Sequence, residues 1–169
     1  MARLLKTPKW LKDFLTKSHP VVVGLFLITI VVMPLKLLSE KLGLENQAAT
    51  EGIEELFGLN GKDYFLLFKI ILGDSVIEEL IYRGPLFLAI TALWFFNAKN
   101  SPRNLLVSLT ILLTSIAFAK PHPFFIPEFL AALVYSFVTI KTWPWPGSLI
   151  LHLLINSFVW ARYYFLGFF

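Results

Sequence analysis

Three short runs of this sequence hold residues that could do chemistry together: Glu78-Glu79 with Arg83, then His122, then His152 with Asn156. The first run lies in GDSVIEELIYRGPLF, Gly73 to Phe87, inside one of the most apolar parts of the chain. Charges in apolar surroundings are costly unless they are paired or used. On a helix, Glu79 and Arg83 stand one turn apart on one face, in the favourable acid-then-base order. In a low dielectric the pair can neutralise itself, and a guanidinium can grip a carboxylate with two donors. Glu78 points about 100° away from Glu79 and has no cation three or four residues from it. Asp74, one turn earlier on a similar face, is a like charge. The spacing therefore gives Glu79 and Arg83 a structural role and leaves Glu78 available for chemistry.

His122 sits in FAKPH, four residues after Phe118, and His152 and Asn156 share one helical face in HLLIN. A single histidine in a helix is more often packed than catalytic. Two histidines, an amide and an uncommitted carboxylate in one small bundle are harder to dismiss, and ionisable groups at membrane depth mark functional sites. Glu78, His122 and His152 also form a carboxylate-plus-two-histidine set of the kind found at catalytic zinc, and chelator sensitivity would separate that chemistry from a metal-free one. Ser148 and His152 are spaced as a dyad, but no G-x-S-x-G elbow occurs, and a serine near a helix start is ordinarily a cap. A second glutamate pair, Glu54-Glu55 in GIEELF, lies in a polar stretch with Leu59 where an arginine would be needed. It reads as a solvated helix face.

Helices must bring these runs together. The chain has 169 residues, 57% hydrophobic and 15% charged, with 17 Phe. Soluble domains have about 45–50% apolar and about 25% charged residues. The composition is that of an all-α integral membrane protein, one compact bundle of about five to six transmembrane or partly spanning helices, and residues 1–169 read as a single membrane domain. No period-two alternation supports a barrel. Cysteine is absent, which excludes disulfides, a cysteine nucleophile and thiolate metal sites.

The expected first span is Pro20–Leu38, kinked near its end by Pro34, and retained because no cleavage signal follows it. From Tyr64 to Phe96 the chain is almost continuously apolar, too long for one ordinary span of about 20 residues. Gly73 is expected to divide it into a short helix, Tyr64–Leu72, and a span, Asp74–Phe96, loosened at Gly84-Pro85. Further helices are expected at Leu105–Ala119, Glu128–Lys141 and Ser148–Phe165. The prolines of KPHPFFIP, residues 120–127, interrupt helix, and TWPWPG, residues 142–147, carries Trp143 and Trp145 as in an interfacial belt. If each helix crossed fully, His122 and His152 would lie near opposite faces. A short helix before residue 120 and a turn inside the protein would bring them together.

Glu78-Glu79-x-x-x-Arg83, Phe118-x-x-x-His122 and His152-x-x-x-Asn156, in that order on expected membrane helices, resemble the three motifs of the CPBP family, the CAAX proteases and bacteriocin-processing enzymes, which are glutamate-type intramembrane proteases. The resemblance covers residues 74–160, the catalytic core motifs; the N-terminal third carries none. It implies that Glu78 and His122 activate a water, that His152 and Asn156 donate to the oxyanion formed at a peptide carbonyl, and that Glu79 and Arg83 brace the site. It implies no cofactor and no metal. Asp74 is outside the motifs. The implied partner is a membrane-anchored protein or peptide, by analogy a C-terminal sorting tail.

The alternative is a catalytically inactive membrane protein, a binding or immunity protein or a small transporter component, since Glu and His chains also serve proton relays. The intact four-residue set argues against decay. Residues 1–19 carry Arg3, Lys6, Lys9, Lys12 and Lys17 against Asp13, which places the N-terminus in the cytoplasm beside an anionic bilayer and not on nucleic acid. The expected location is a bacterial inner membrane.

Overall fold

The computed structural model describes residues 13–14, 16–44, 64–95, 100–143 and 146–166. Lys6, Lys9 and Lys12, the acidic stretch from Glu45 to Asp63 with its Glu54-Glu55 pair, Phe96, Lys99 and Trp145 lie outside the described residues, as does Arg3.

The described helices are α1 (Pro20–Lys41), α2 (Tyr64–Phe95), α3 (Asn100–Ala119), α4 (Phe125–Thr142) and α5 (Gly147–Leu166). No strand occurs among the described residues. α4 is the centre of the bundle and packs against each of the other helices. α5 also packs against α1 and α2, and α3 packs against α2.

Polarity is inverted relative to a water-soluble bundle. Leu80 and Leu88 on α2 are each 68% exposed, and Leu113 and Phe158 are nearly as open. Ser75, Glu79, Arg83, Ser115, Ser136, Thr139 and His152 are buried. A bundle that turns leucines outward and carboxylates inward has lipid as its solvent. α1 and α4 are each long and apolar enough to cross a membrane, and Asn104–Ala119 and Gly147–Phe158 are shorter apolar stretches. The chain is an all-α integral membrane bundle.

Three expectations change. Gly73 does not divide α2, which runs unbroken for 32 residues through Gly73 and Pro85. A helical glycine costs only about 1 kcal/mol, less than leaving backbone groups unpaired in lipid. At a rise of 1.5 Å per residue, α2 is about 48 Å long, so its charged segment lies well inside it. Pro34 does perturb α1, but upstream: Ile28–Val32 form a π-helical turn, closed by Met33 N–H donating to the Ile28 carbonyl. A widened turn ahead of a proline relieves the clash between its ring and the carbonyl four residues back. α3 begins at Asn100, earlier than the expected Leu105, so it is not the short helix that the geometry seemed to need.

The proline turn behaves as expected. α3 ends at Ala119, and α4 starts at Phe125 with Pro127 in its first turn, where a missing N–H is harmless. Pro123 and Phe124 are buried while Lys120, Pro121, Phe125 and Ile126 are exposed, so the turn packs one side against protein. Lys36 of α1 reaches Glu128 at the start of α4 at 2.9 Å and lies over the Phe124 ring. α1 is fastened further down by Gly24, where an added Cβ would stand 2.6 Å from Leu151 Cδ2 and 2.8 Å from Val138 Cγ2.

Candidate active site

The site is built where α2, the end of α3 and α5 meet, with α4 behind. Glu78 is the hub. Its Oε1 lies 3.8 Å from His122 Nε2, and its Oε2 lies 3.3 Å from His152 Nε2. One carboxylate therefore touches both rings, and the two histidines cannot stand on opposite faces of a hydrocarbon layer about 30 Å thick. The long α3 is compatible with this because His122 hangs on the turn after it, facing α2.

His122 is oriented from behind. Its Nδ1 is 2.6 Å from the Phe118 carbonyl, which can only accept, so Nδ1 carries the hydrogen and Nε2 faces Glu78 with its lone pair when the ring is neutral. The ring stacks on Phe118 at 4.5 Å between centroids. The i, i+4 spacing of Phe118 and His122 thus has a physical purpose: a residue just past the helix end folds back onto the last turn.

His152 is 3% exposed and is clasped by adjacent glutamates, with Nε2 toward Glu78 and Nδ1 3.3 Å from Glu79 Oε1. This changes the part played by Glu79. The expected two-donor grip between Arg83 and Glu79 does not form. Their closest approach is 3.9 Å, from Arg83 Nε to the same Glu79 Oε1. Arg83 instead lies between aromatic faces, its Cζ 5.2 Å from the Phe118 centroid and 5.7 Å from that of Tyr135. Its Nη1 donates to the Tyr82 carbonyl at 3.4 Å, while Nε and Nη2 have no hydrogen-bond partner among the described residues. Cation–π attraction of this kind is worth up to about 2 kcal/mol when desolvated.

Asn156 stands one turn beyond His152 on α5, and its Nδ2 donates to Ser75 Oγ on α2 at 2.8 Å. The structure thus brings Glu78, Glu79, Arg83, His122, His152 and Asn156 into one neighbourhood. Asp74 is exposed on α2, and no hydrogen bond or ion pair joins it to them among the described residues. Ser148 is buried at the start of α5, and no side-chain hydrogen bond joins its hydroxyl to the His152 ring among the described residues.

Two neighbours escaped the sequence reading. Ser75 lies three residues before Glu78 and looked like an ordinary small residue in an apolar helix; its fully buried hydroxyl is the only hint, and burial is not written in the sequence. Tyr135 stacks on His152 at 4.9 Å and meets Phe118 edge-on. Nothing in LVYSF distinguishes it from core. Among the described residues, no three His, Asp or Glu side chains are arranged to hold one metal ion.

A protein-family model described as type II CAAX prenyl endopeptidase Rce1-like matches residues 60–158. That stretch exceeds half of the chain and includes every site residue named above, while α1 precedes it. Comparison with curated proteins and with solved structures gives no match.

Proposed function

The chain belongs to this Rce1-like family of CAAX endopeptidases, and from that premise we propose that it is a glutamate-type intramembrane endopeptidase acting on a membrane-anchored protein or peptide. The observation that carries the reading is the contact of one carboxylate, Glu78, with both His122 and His152.

The reaction follows from the hydrogen-bond inventory. At 3.8 Å, Glu78 Oε1 and His122 Nε2 are too far apart to bond each other directly, and both face the site as acceptors. A water held by both gives one proton to this pair as its oxygen attacks the peptide carbonyl carbon. The carbonyl oxygen becomes the oxyanion, stabilised by His152 Nε2–H and the Asn156 amide. For His152 to donate there while Nδ1–H bonds Glu79, the ring reacts with both nitrogens protonated. Collapse of the intermediate breaks the C–N bond, and the proton taken from water passes to the leaving amine. Glu79 orients His152, and Arg83 offsets the charge of the two carboxylates.

The buried position of His152 and the lipid-facing leucines of α2 support a reaction within the bilayer, on a scissile bond in a segment that enters from lipid. A C-terminal hydrophobic sorting tail in a bacterial inner membrane fits these constraints, with the basic N-terminus of this chain on the cytoplasmic side.

The test uses the purified protein in lipid vesicles with a membrane-anchored peptide bearing a fluorophore beyond the anchor. Release of a soluble labelled fragment at a rate unchanged by 1,10-phenanthroline is the expected result. A rate abolished by the chelator and restored by zinc would overturn the metal-free role of Glu78.

A further inference from the structure

We infer that Ser75 is a positioning residue for the Asn156 amide, holding its second N–H toward the reacting carbonyl; the inference rests on the oxyanion role proposed for Asn156.

Ser75 is fully buried where α2 faces α5. Its Oγ accepts from Asn156 Nδ2 at 2.8 Å. The bond repeats, one turn along both helices, the contact between Glu79 and His152. Ser75 precedes Glu79 by four residues, and Asn156 follows His152 by four. The antiparallel pair α2 and α5 is therefore laced twice, each time by a residue on α2 and a proposed oxyanion donor on α5. Glu79 fixes the imidazole, and Ser75 fixes the amide.

The planar amide explains why one bond suffices. The side-chain torsion of asparagine that turns the amide is broad and nearly two-fold. Without a partner, the Asn156 amide can turn its carbonyl toward the site, where it would repel a developing oxyanion. Bonding one hydrogen of the NH2 group fixes the plane and sets the direction of the other hydrogen. The choice of serine also has a reason. Hydroxyls on the helices of this bundle donate to the carbonyl four residues back, as at Thr91 on α2 and at Thr29, Thr110, Ser136 and Thr139 on its neighbours. A hydroxyl so engaged offers a cross-helix neighbour only its lone pairs, so it selects N–H over C=O. The direction of the Ser75 bond, from Nδ2 to Oγ, is the one this logic favours.

The experiment compares the full chain with Ser75→Ala, Ser75→Thr, Asn156→Ala and the Ser75→Ala/Asn156→Ala double variant. The first readout is the side-chain amide region of a proton–nitrogen spectrum in micelles, with Asn156 assigned by its loss in Asn156→Ala. The expected result is two well-separated, slowly exchanging Asn156 protons in the wild type and in Ser75→Thr, which converge and exchange faster in Ser75→Ala. An unchanged Asn156 signal in Ser75→Ala overturns the inference whether or not a substrate is in hand.

The second readout is cleavage of a farnesylated peptide ending in a CAAX tetrapeptide and of a hydrophobic-tail peptide. Ser75→Ala is expected to lower kcat roughly 10-fold or more with KM unchanged, Ser75→Thr to restore it, and Ser75→Ala to add nothing in the Asn156→Ala background. If Asn156→Ala is slow and Ser75→Ala is not, the positioning inference alone fails. If Asn156→Ala cleaves as fast as wild type, the oxyanion role fails and takes the inference with it.

Discussion

Glu79 Oε1 lies 3.3 Å from Nδ1 of His152, across the ring from the contact that Nε2 makes with Glu78. Neighbours in sequence thus reach opposite nitrogens of one imidazole. The pair of glutamates is a clamp on His152 as much as it is a base with a spare. Glu79→Gln keeps the shape and an acceptor for Nδ1–H but removes the carboxylate charge beside the ring. Its kcat is expected to fall by roughly 10²-fold with little change in KM. Steady-state cleavage in vesicles checks this, and a wild-type kcat would return Glu79 to a purely structural role.

Arg83→Ala should act mainly on folding. The guanidinium is 3% exposed and is a permanent positive charge 3.9 Å from Glu79. Removing it leaves a buried carboxylate with only His152 nearby, at a cost of about 3–5 kcal/mol. The expected outcome is a large loss of monodisperse protein in detergent and a lowered Tm. Normal yield and Tm would mean that the sandwich between Phe118 and Tyr135 contributes nothing.

Phe118 touches both histidines, stacking on His122 and meeting His152 edge-on at 5.9 Å. It also carries Arg83 on its face. Phe118→Ala should cost about 3–5 kcal/mol as a buried large-to-small change. Phe118→Tyr should retain most of the stacking and lose less Tm than Phe118→Ala. Thermal unfolding of both variants in one detergent distinguishes loss of packing from loss of a specific ring.

α1 lies outside the family match, yet it bears on the site through Gly24. A methyl group there would press Leu151, which is fully buried and adjacent to His152, and Val138, whose branched side chain has little freedom. Gly24→Ala is expected to destabilise the bundle by about 1–3 kcal/mol and to lower cleavage with it. An unchanged Tm would show that α1 sits further from α4 and α5 than described.

Much of this was legible in the sequence, for local reasons. The separation of Glu78 from Glu79 follows from 100° per residue, the shared face of His152 and Asn156 from a spacing of four, and the break at residues 120–124 from proline. What was not legible depends on neighbours brought in by the fold. Gly73 and Pro85 look like helix breakers, but lipid penalises unpaired backbone more than it penalises glycine. Glu79 looks paired with Arg83 because both are local; only α5, 73 residues away, reveals His152 as its closer partner. Ser75 and Tyr135 carry no sequence signal at all. Their roles arise from facing Asn156 and His152 across helix interfaces.

The most direct test of the account is cleavage by Glu78→Gln beside wild type, both in vesicles with the same labelled membrane-anchored peptide and both shown by thermal unfolding to be folded. Glu78→Gln preserves the shape that lies against His122 and His152 but cannot take the proton from water. The account predicts one new peptide terminus, detected by mass spectrometry, in the wild-type reaction and none above background in the variant. Equal cleavage by the two proteins would contradict it.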